Sequence, residues 1–195
     1  MGRRVPVIGQ LAHPRGVLAP ATGFVLNIVN RPINRWTIRA LELGGTEQVL
    51  DVGFGGGVGL EMVAKRLTSG RVVGIDISEE MAQRAVALAP VIRADVAALP
   101  LADDSFDRAY SVNGIFFWPD PEAALAEIHR VLRSGSLAII AGPTSAFVLA
   151  RLSGVGPRTA PFGPMQVATL AERAGFESVR IGRTIGAAQI LGRKG

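Results

Sequence analysis

The chain contains no cysteine. That excludes disulfides, thiolate metal ligands and cysteine nucleophiles, and it leaves the redox compartment open. Histidine is nearly as scarce, with His13 and His129 alone, so a multi-histidine metal site is not expected. Aromatic residues make up 6% and do not interleave with the arginines, which removes the stacking platforms of a single-strand nucleic-acid binder. No run approaches the ~20 apolar residues of a membrane span. The apolar stretch Val17 to Val29 is broken by Pro20 and Asn27 and lacks a signal-peptide cleavage pattern. The expected location is the cytoplasm.

Acid is missing too, but only at the start. Residues 1–41 carry six arginines and no Asp or Glu, whereas residues 42–150 hold fourteen acids against eight bases. Residues 151–195 return to seven bases against two acids, for an overall charge of +5. Basic ends favour an anionic substrate, a membrane surface or nucleic acid, or else form a solvated face. With 195 residues, 48% of them hydrophobic, the chain is long enough for one domain with its own core.

From Gln48 onward strand and helix signals alternate. Gln48–Gly53 reads as a buried strand and Val58–Leu67 as a helix, followed by a strand at Arg71–Ile77. Ser78, ahead of Glu79 and Glu80, is a natural N-cap for a helix that Pro90 stops. Val91–Val96 and Asp107–Phe117 read as strands, Pro121–Arg133 as a helix and Ser136–Ala141 as a strand. Residues 142–163 are rich in glycine and proline and read as a loop. A helix over Pro164–Ala174, closed by Gly175, precedes two strands, Glu177–Thr184 and Ala187–Leu191, that turn at Gly186. The expected fold is α/β: a seven-stranded, mostly parallel sheet with a C-terminal antiparallel hairpin and helices on both faces. Residues 1–45 form a separate N-terminal segment with a helix from Pro32 to Leu43, ahead of a domain over residues 46–195.

The informative stretch is Asp51-Val-Gly53-Phe54-Gly55-Gly-Gly57-Val-Gly59 between the first strand and its helix. Such a turn brings backbone close to a ligand and aims helix N–H groups at a negative group, whether of a dinucleotide, a nucleotide or an amino-acid-like cofactor. A P-loop would need lysine and then serine or threonine after the last glycine. The dinucleotide spacing would need glycine at Val58 or Leu60. The spacing present is acid-x-Gly-x-Gly-x-Gly, from Asp51 to Gly57. A second acid, Asp76, ends the second strand, and a third, Asp95, follows the third strand. Leu99-Pro-Leu to Ser105-Phe-Asp107, the strand ending Ser111-Val-Asn113, and Glu127-Ile-His-Arg-Val-Leu-Arg-Ser-Gly135 complete the series.

Over about residues 45–142 this series resembles the class I, Rossmann-like S-adenosylmethionine-dependent methyltransferases, and within them the small-molecule and quinone-type enzymes of the methyltransferase type 11 domain. The resemblance implies S-adenosyl-L-methionine as cofactor and no metal. It places Asp51, Gly53, Phe54, Gly55 and Gly57 along the cofactor, Asp76 on the ribose hydroxyls and Asp95 on the adenine amino group. Ile77, Met81, Val96 and Asn113 complete the expected cofactor set. Phe54 stands where the family often has a small residue, and Ser136 where it often has a second glycine.

The implied reaction is in-line methyl transfer to a small, amphiphilic acceptor, with O, N and C all open as the attacked atom. No catalytic base is assigned. His129 reads as a boundary histidine, His13 as a residue of the N-terminal segment that could reach the site, and Tyr110 as core packing. Phe116-Phe117-Trp118 lines the acceptor pocket or packs in the core. Residues 1–45 are expected to act as a lid, with peripheral membrane or lipid contact through their arginines. Nucleic acid is not an expected partner, and the oligomeric state stays open. Two other readings are a non-catalytic cofactor-binding regulator and a nucleic-acid methyltransferase; against the second, Asn113-Gly-Ile-Phe lacks the prolines of the usual nucleic-acid motif.

Overall fold

The computed structural model describes residues 19–144 and 163–195, with side chains from residue 30 onward apart from Arg84. Its elements are α1 (Ala19–Ala40), β1 (Gln48–Val52), α2 (Val58–Ala64), β2 (Arg71–Asp76), α3 (Glu79–Ala85) and β3 (Val91–Arg93). They continue with β4 (Phe106–Val112), a 3-10 turn (Gly114–Phe117), α4 (Pro121–Val131), β5 (Leu132–Pro143), α5 (Pro164–Arg173), β6 (Phe176–Thr184) and β7 (Ala187–Lys194).

The seven strands form one sheet in the order β3-β2-β1-β4-β5-β7-β6. β1 to β5 are parallel, and β7 lies antiparallel between β5 and β6. The mostly parallel sheet with its C-terminal hairpin is the architecture that the strand–helix alternation predicts. Because β1 sits between β2 and β4, the chain reverses its direction of travel there, and such a switch point opens a crevice at the carboxyl ends of the two strands.

Both faces are covered, each by its own half of the alternating side chains. On one face Leu50, Val52, Ile75 and Ile140 pack with Leu125, Ile128 and Val167 from α4 and α5. On the other Val49, Val72, Tyr110 and Ile139 pack with Ile38, Leu41, Leu60 and Val63 from the segment around α1 and from α2. Among the described residues no helix is long and apolar enough to cross a membrane.

Several boundaries depart from expectation, and four of them are explained by particular residues. α1 starts well before Pro32 and carries that proline inside it. An interior proline costs about 3 kcal/mol; here Asn34, Thr37, Ile38 and Leu41 are all buried at helical spacing, and that docking offsets it. The expected strand Asp107–Phe117 stops at Val112, because Asn113 takes a left-handed conformation (φ 66°) and starts the 3-10 turn; asparagine tolerates that region better than most residues. β3 ends at Arg93 rather than Val96, where Asp95 instead accepts the Ala97 amide at 2.9 Å and curls the chain into a turn. β5 begins at Leu132, directly out of α4, with Gly135 (φ 77°) absorbing the bend inside it. The expected loop at 142–163 lies, apart from its ends, outside the described residues, as does His13.

Candidate active site

A cavity of about 540 Å³ opens at the carboxyl ends of β1 and β4. Its floor is the turn after β1. Gly53, Gly55 and Gly57 have φ values of 73°, 50° and 80°, a region that side-chain-bearing residues avoid. The Gly53 amide donates to the Ile75 carbonyl at 2.7 Å, which ties the turn to β2. Gly57 caps α2 rather than lining the cavity. An added Cβ there would come within 2.8 Å of Leu88 Cδ1.

Three acids line the same cavity. Asp76, at the end of β2, accepts the Gly55 amide on Oδ2 at 3.0 Å and the Ser78 amide on Oδ1 at 2.9 Å. Ser78 in turn caps α3, its hydroxyl accepting from the Met81 amide. Asp95 stands in the turn after β3 beside Ala94 and Val96, which also line the cavity. Ile77 is exposed and Met81 buried, and both face this end.

Asp51 is the buried one, at 2% exposure. Tyr110 on β4 donates its phenolic O–H to Asp51 Oδ2 at 2.5 Å. Burial pushes the Asp51 carboxyl up to about 7; the Tyr110 hydrogen bond pulls against that rise, and the charge of Asp76 adds to it. Burial and the neighbouring carboxylate hold the Tyr110 phenol well above its ordinary value, so it stays the donor. α2 passes close by: a Cβ on Gly59 would lie 2.8 Å from both Asn34 Oδ1 and Tyr110 Oη and 3.0 Å from Asp51 Oδ2.

The opposite wall is formed by Phe116, Phe117, Trp118, Pro119 and Pro143. Between the walls, Asn113 Nδ2 donates to Asn30 Oδ1 at 2.8 Å, joining the end of β4 to α1. Asn34, one helical turn on, donates from Nδ2 to the Asn30 carbonyl at 3.0 Å and also lines the cavity.

Of the residues that the sequence singles out for the cofactor, Asp51, Gly53, Phe54, Gly55, Asp76, Ile77, Met81, Asp95, Val96 and Asn113 line one cavity, and Gly57 stands behind it. Phe116, Phe117 and Trp118 join them. His129 does not: its ring stacks edge-on against Phe176 with centroids 5.0 Å apart, and burial lowers its proton affinity. Tyr110 is core, as read, but it is also the partner of Asp51, and that sequence reading misses the polar half. Asn30, Asn34 and Pro143 are missed as well. Two amides one helical turn apart, on the face of the helix that also carries Ile38, are the signal that could have found the first two.

A family model described as a methyltransferase domain matches residues 50–140. The uncharacterized methyltransferase YdaC of Bacillus subtilis (strain 168) is 29% identical over 165 residues, covering 82% of this chain and 87% of that protein. The chloroplastic 2-methyl-6-phytyl-1,4-hydroquinone methyltransferase 1 of Oryza sativa is 37% identical over 101 residues, which is 49% of this chain and 31% of that protein. Among solved structures, a SAM-dependent methyltransferase of Thermotoga maritima, described as a possible histamine N-methyltransferase, covers 95% of this chain and 100% of its own. Its TM-score is 0.76 at 22% identity. A SAM-dependent methyltransferase of Aquifex aeolicus, also 22% identical, covers 89% of this chain and 97% of its own with a TM-score of 0.66. The turn geometry, the three acids around one cavity and these likenesses converge: residues 50–140 are a methyltransferase domain, the fold is that of the class I S-adenosylmethionine-dependent methyltransferases, and the chain is an enzyme that takes its methyl group from that cofactor.

Proposed function

We propose that this enzyme methylates a small, amphiphilic molecule, holding the cofactor on Asp51, Gly53, Phe54, Gly55, Asp76, Ile77, Met81, Asp95, Val96 and Asn113. The observation that carries the reading is a single cavity with three acids at one end and an aromatic wall at the other. The residues present fit the cofactor. Each Asp76 oxygen spends one lone pair on a backbone amide, which leaves a second on each for the two ribose hydroxyls. Asp95 stands within the adenine end, where Ile77 and Val96 offer apolar surface to the base. The positive end of α2 and the open glycine turn accept the negative carboxylate end.

When bound, the cofactor supplies an activated methyl on a sulfonium, which an electron-rich acceptor atom takes by in-line displacement. The chain's own part is to align the acceptor and to exclude water. Phe116, Trp118 and Pro143 supply a flat apolar wall for an aromatic or lipid-like body, and the Asn30–Asn113 amide pair gives its polar end a hydrogen-bonding partner. A hydroquinone, the substrate named for the rice relative, has that mixed character. Residues 1–45 serve as the roof of this pocket, a role supported by Asn30 and Asn34 in the cavity wall. Their arginines suit contact with the polar surface from which such an acceptor is drawn.

A methyl-transfer screen with labelled cofactor over phenols, quinols, amines, phospholipids and RNA tests the reading. Label in quinols or other amphiphilic small molecules supports it. Label in RNA alone sinks it, and tight cofactor binding without any acceptor turns the reading toward a regulator.

A further inference from the structure

Asp51 and Tyr110 are register partners in the ladder between neighbouring strands β1 and β4, and their side chains join as well, at the floor of the cavity. A buried carboxyl beside a buried phenol is an expensive arrangement when it only packs a core, since an apolar pair of the same shape does so without desolvation. Asp51 also lines the cavity while Tyr110 does not. The phenol thus approaches the carboxyl from behind and fixes Oδ2. Gly59 leaves room for the pair by having no side chain.

We propose that Tyr110 is a positioning residue for the cofactor: by holding Asp51 from behind it makes that carboxyl a proton-exchanging seat for the cofactor's positive charge, so that cofactor uptake expels a proton from Asp51 to the solvent. The inference rests on the cofactor placement proposed above.

Among the described residues, the titratable groups acting on Asp51 are Tyr110 from β4 and Asp76 from β2. Asn34 from α1 and Gly59 from α2 crowd the same point without charge. Burial and the charge of Asp76 thus favour the protonated carboxyl as long as no cation lies beside it. A cation entering the cavity stabilises the ionised form, and linkage requires that the proton leave as the cation binds. Tyr110 sets how readily this happens, because its O–H stabilises the carboxylate and lowers the cost of losing the proton.

The test is titration calorimetry of the whole chain in buffers of different ionisation enthalpy, with S-adenosylmethionine and S-adenosylhomocysteine as separate probes. The wild type should release about half a proton per site near pH 7, less as pH rises. Release with both probes assigns the effect to the amino-acid ammonium that they share; release with S-adenosylmethionine alone assigns it to the sulfonium. Tyr110→Phe should weaken binding about tenfold near pH 7 and recover much of that loss at alkaline pH, since it moves the Asp51 titration upward. Asp51→Asn should abolish the proton release. A purely structural tyrosine would instead weaken binding equally at every pH. Tight binding with no proton release in the wild type, or a Tyr110→Phe loss indifferent to pH, overturns the inference while leaving the cofactor site in place. No cofactor binding at all overturns both.

Discussion

The amide of Gly55 donates to Asp76 Oδ2 at 3.0 Å, so the glycine turn after β1 and the acid that ends β2 are one mechanical unit. The carboxylate thereby stabilises a backbone that carries three left-handed glycines and is itself aimed before any ligand arrives. Removing it should do two things at once. Asp76→Ala is expected to weaken cofactor binding by roughly 1.5–3 kcal/mol, the scale of lost hydrogen bonds to a charged group. It should also speed amide exchange at Gly55 and Gly56. Calorimetry and hydrogen exchange read these separately. Unchanged affinity would place the ribose elsewhere.

Gly59 is fixed by space, not by backbone conformation. A methyl there meets Asn34 Oδ1, Tyr110 Oη and Asp51 Oδ2 at 3.0 Å or less. Gly59→Ala should therefore destabilise the protein by about 1–3 kcal/mol, the usual cost of overpacking, and disturb cofactor binding as well. Gly135→Ala is the control. Its φ is 77° with nothing within 4 Å of an added Cβ, so only backbone strain of about 1–2 kcal/mol is expected, with cofactor affinity unchanged. Denaturant midpoints and cofactor titrations on both variants check the contrast.

The contrast also marks what a sequence can say about this site. Asp51, Asp76 and Asp95 were legible because each sits at a strand end or just past one, and strand ends in a parallel sheet all emerge on one edge. The order of strand and helix signals was legible for the same reason, since the run Gln48 to Asp76 alternates cleanly between the two periods. Tyr110 was not, because its partner lies 59 residues away and only the β1–β4 pairing brings the two together. Asn30 was lost to Pro32. A proline at the start of a helix is favourable, so the sequence places the boundary there, whereas burial further along carries the helix through it. The short end of β4 depends on one left-handed residue, Asn113.

Phe117 separates acceptor contact from folding. It lines the cavity yet remains 41% exposed. Phe117→Ala should change stability by no more than about 0.5 kcal/mol, as for most exposed positions. It should raise KM for the acceptor while leaving cofactor affinity alone. Trp118, on the same wall but buried, should lose stability when truncated, by about 3–5 kcal/mol. Thermal melts with acceptor kinetics distinguish the two. Equal KM values for wild type and Phe117→Ala would move the acceptor away from this wall.

Asp51 also makes stability depend on pH. Its folded-state value, about 7, lies above the ordinary carboxyl value of 3.8. Between those values the folded chain holds a proton that the unfolded chain has lost, so unfolding releases it, and this group's contribution to stability falls as pH rises from about 4 to about 7. Asp51→Asn removes the titration. The variant's stability relative to wild type should therefore climb across that window and level off above it, provided that the amide keeps the Tyr110 contact. Urea midpoints at pH 5 and pH 8 measure the difference. A constant offset at both values would mean that Asp51 is an ordinary carboxylate in the folded protein.

The N-terminal segment joins the docked and the covering parts of the proposed roof in one helix. Asn34, Thr37, Ile38 and Leu41 are buried against α2 and the sheet, while Asn30 meets Asn113 at the cavity mouth. The later turns of α1 should thus resist exchange whether or not a ligand is present, because their protection comes from core packing. The earlier turns should respond. If residues 1–45 close over cofactor and acceptor, amides from 19 to about 30 gain protection when S-adenosylhomocysteine binds, and gain more when an acceptor analogue joins it. Truncation of residues 1–30 removes Asn30 but keeps the buried turn from Asn34 to Leu41. It should cut turnover at least tenfold, about 1.4 kcal/mol of transition-state stabilisation, with a much smaller loss in the denaturant midpoint. Protection indifferent to ligand, together with a truncated enzyme of full activity, would show that the roof belongs to another part of the chain. The Asn30–Asn113 bond would then serve only to anchor α1 to the end of β4.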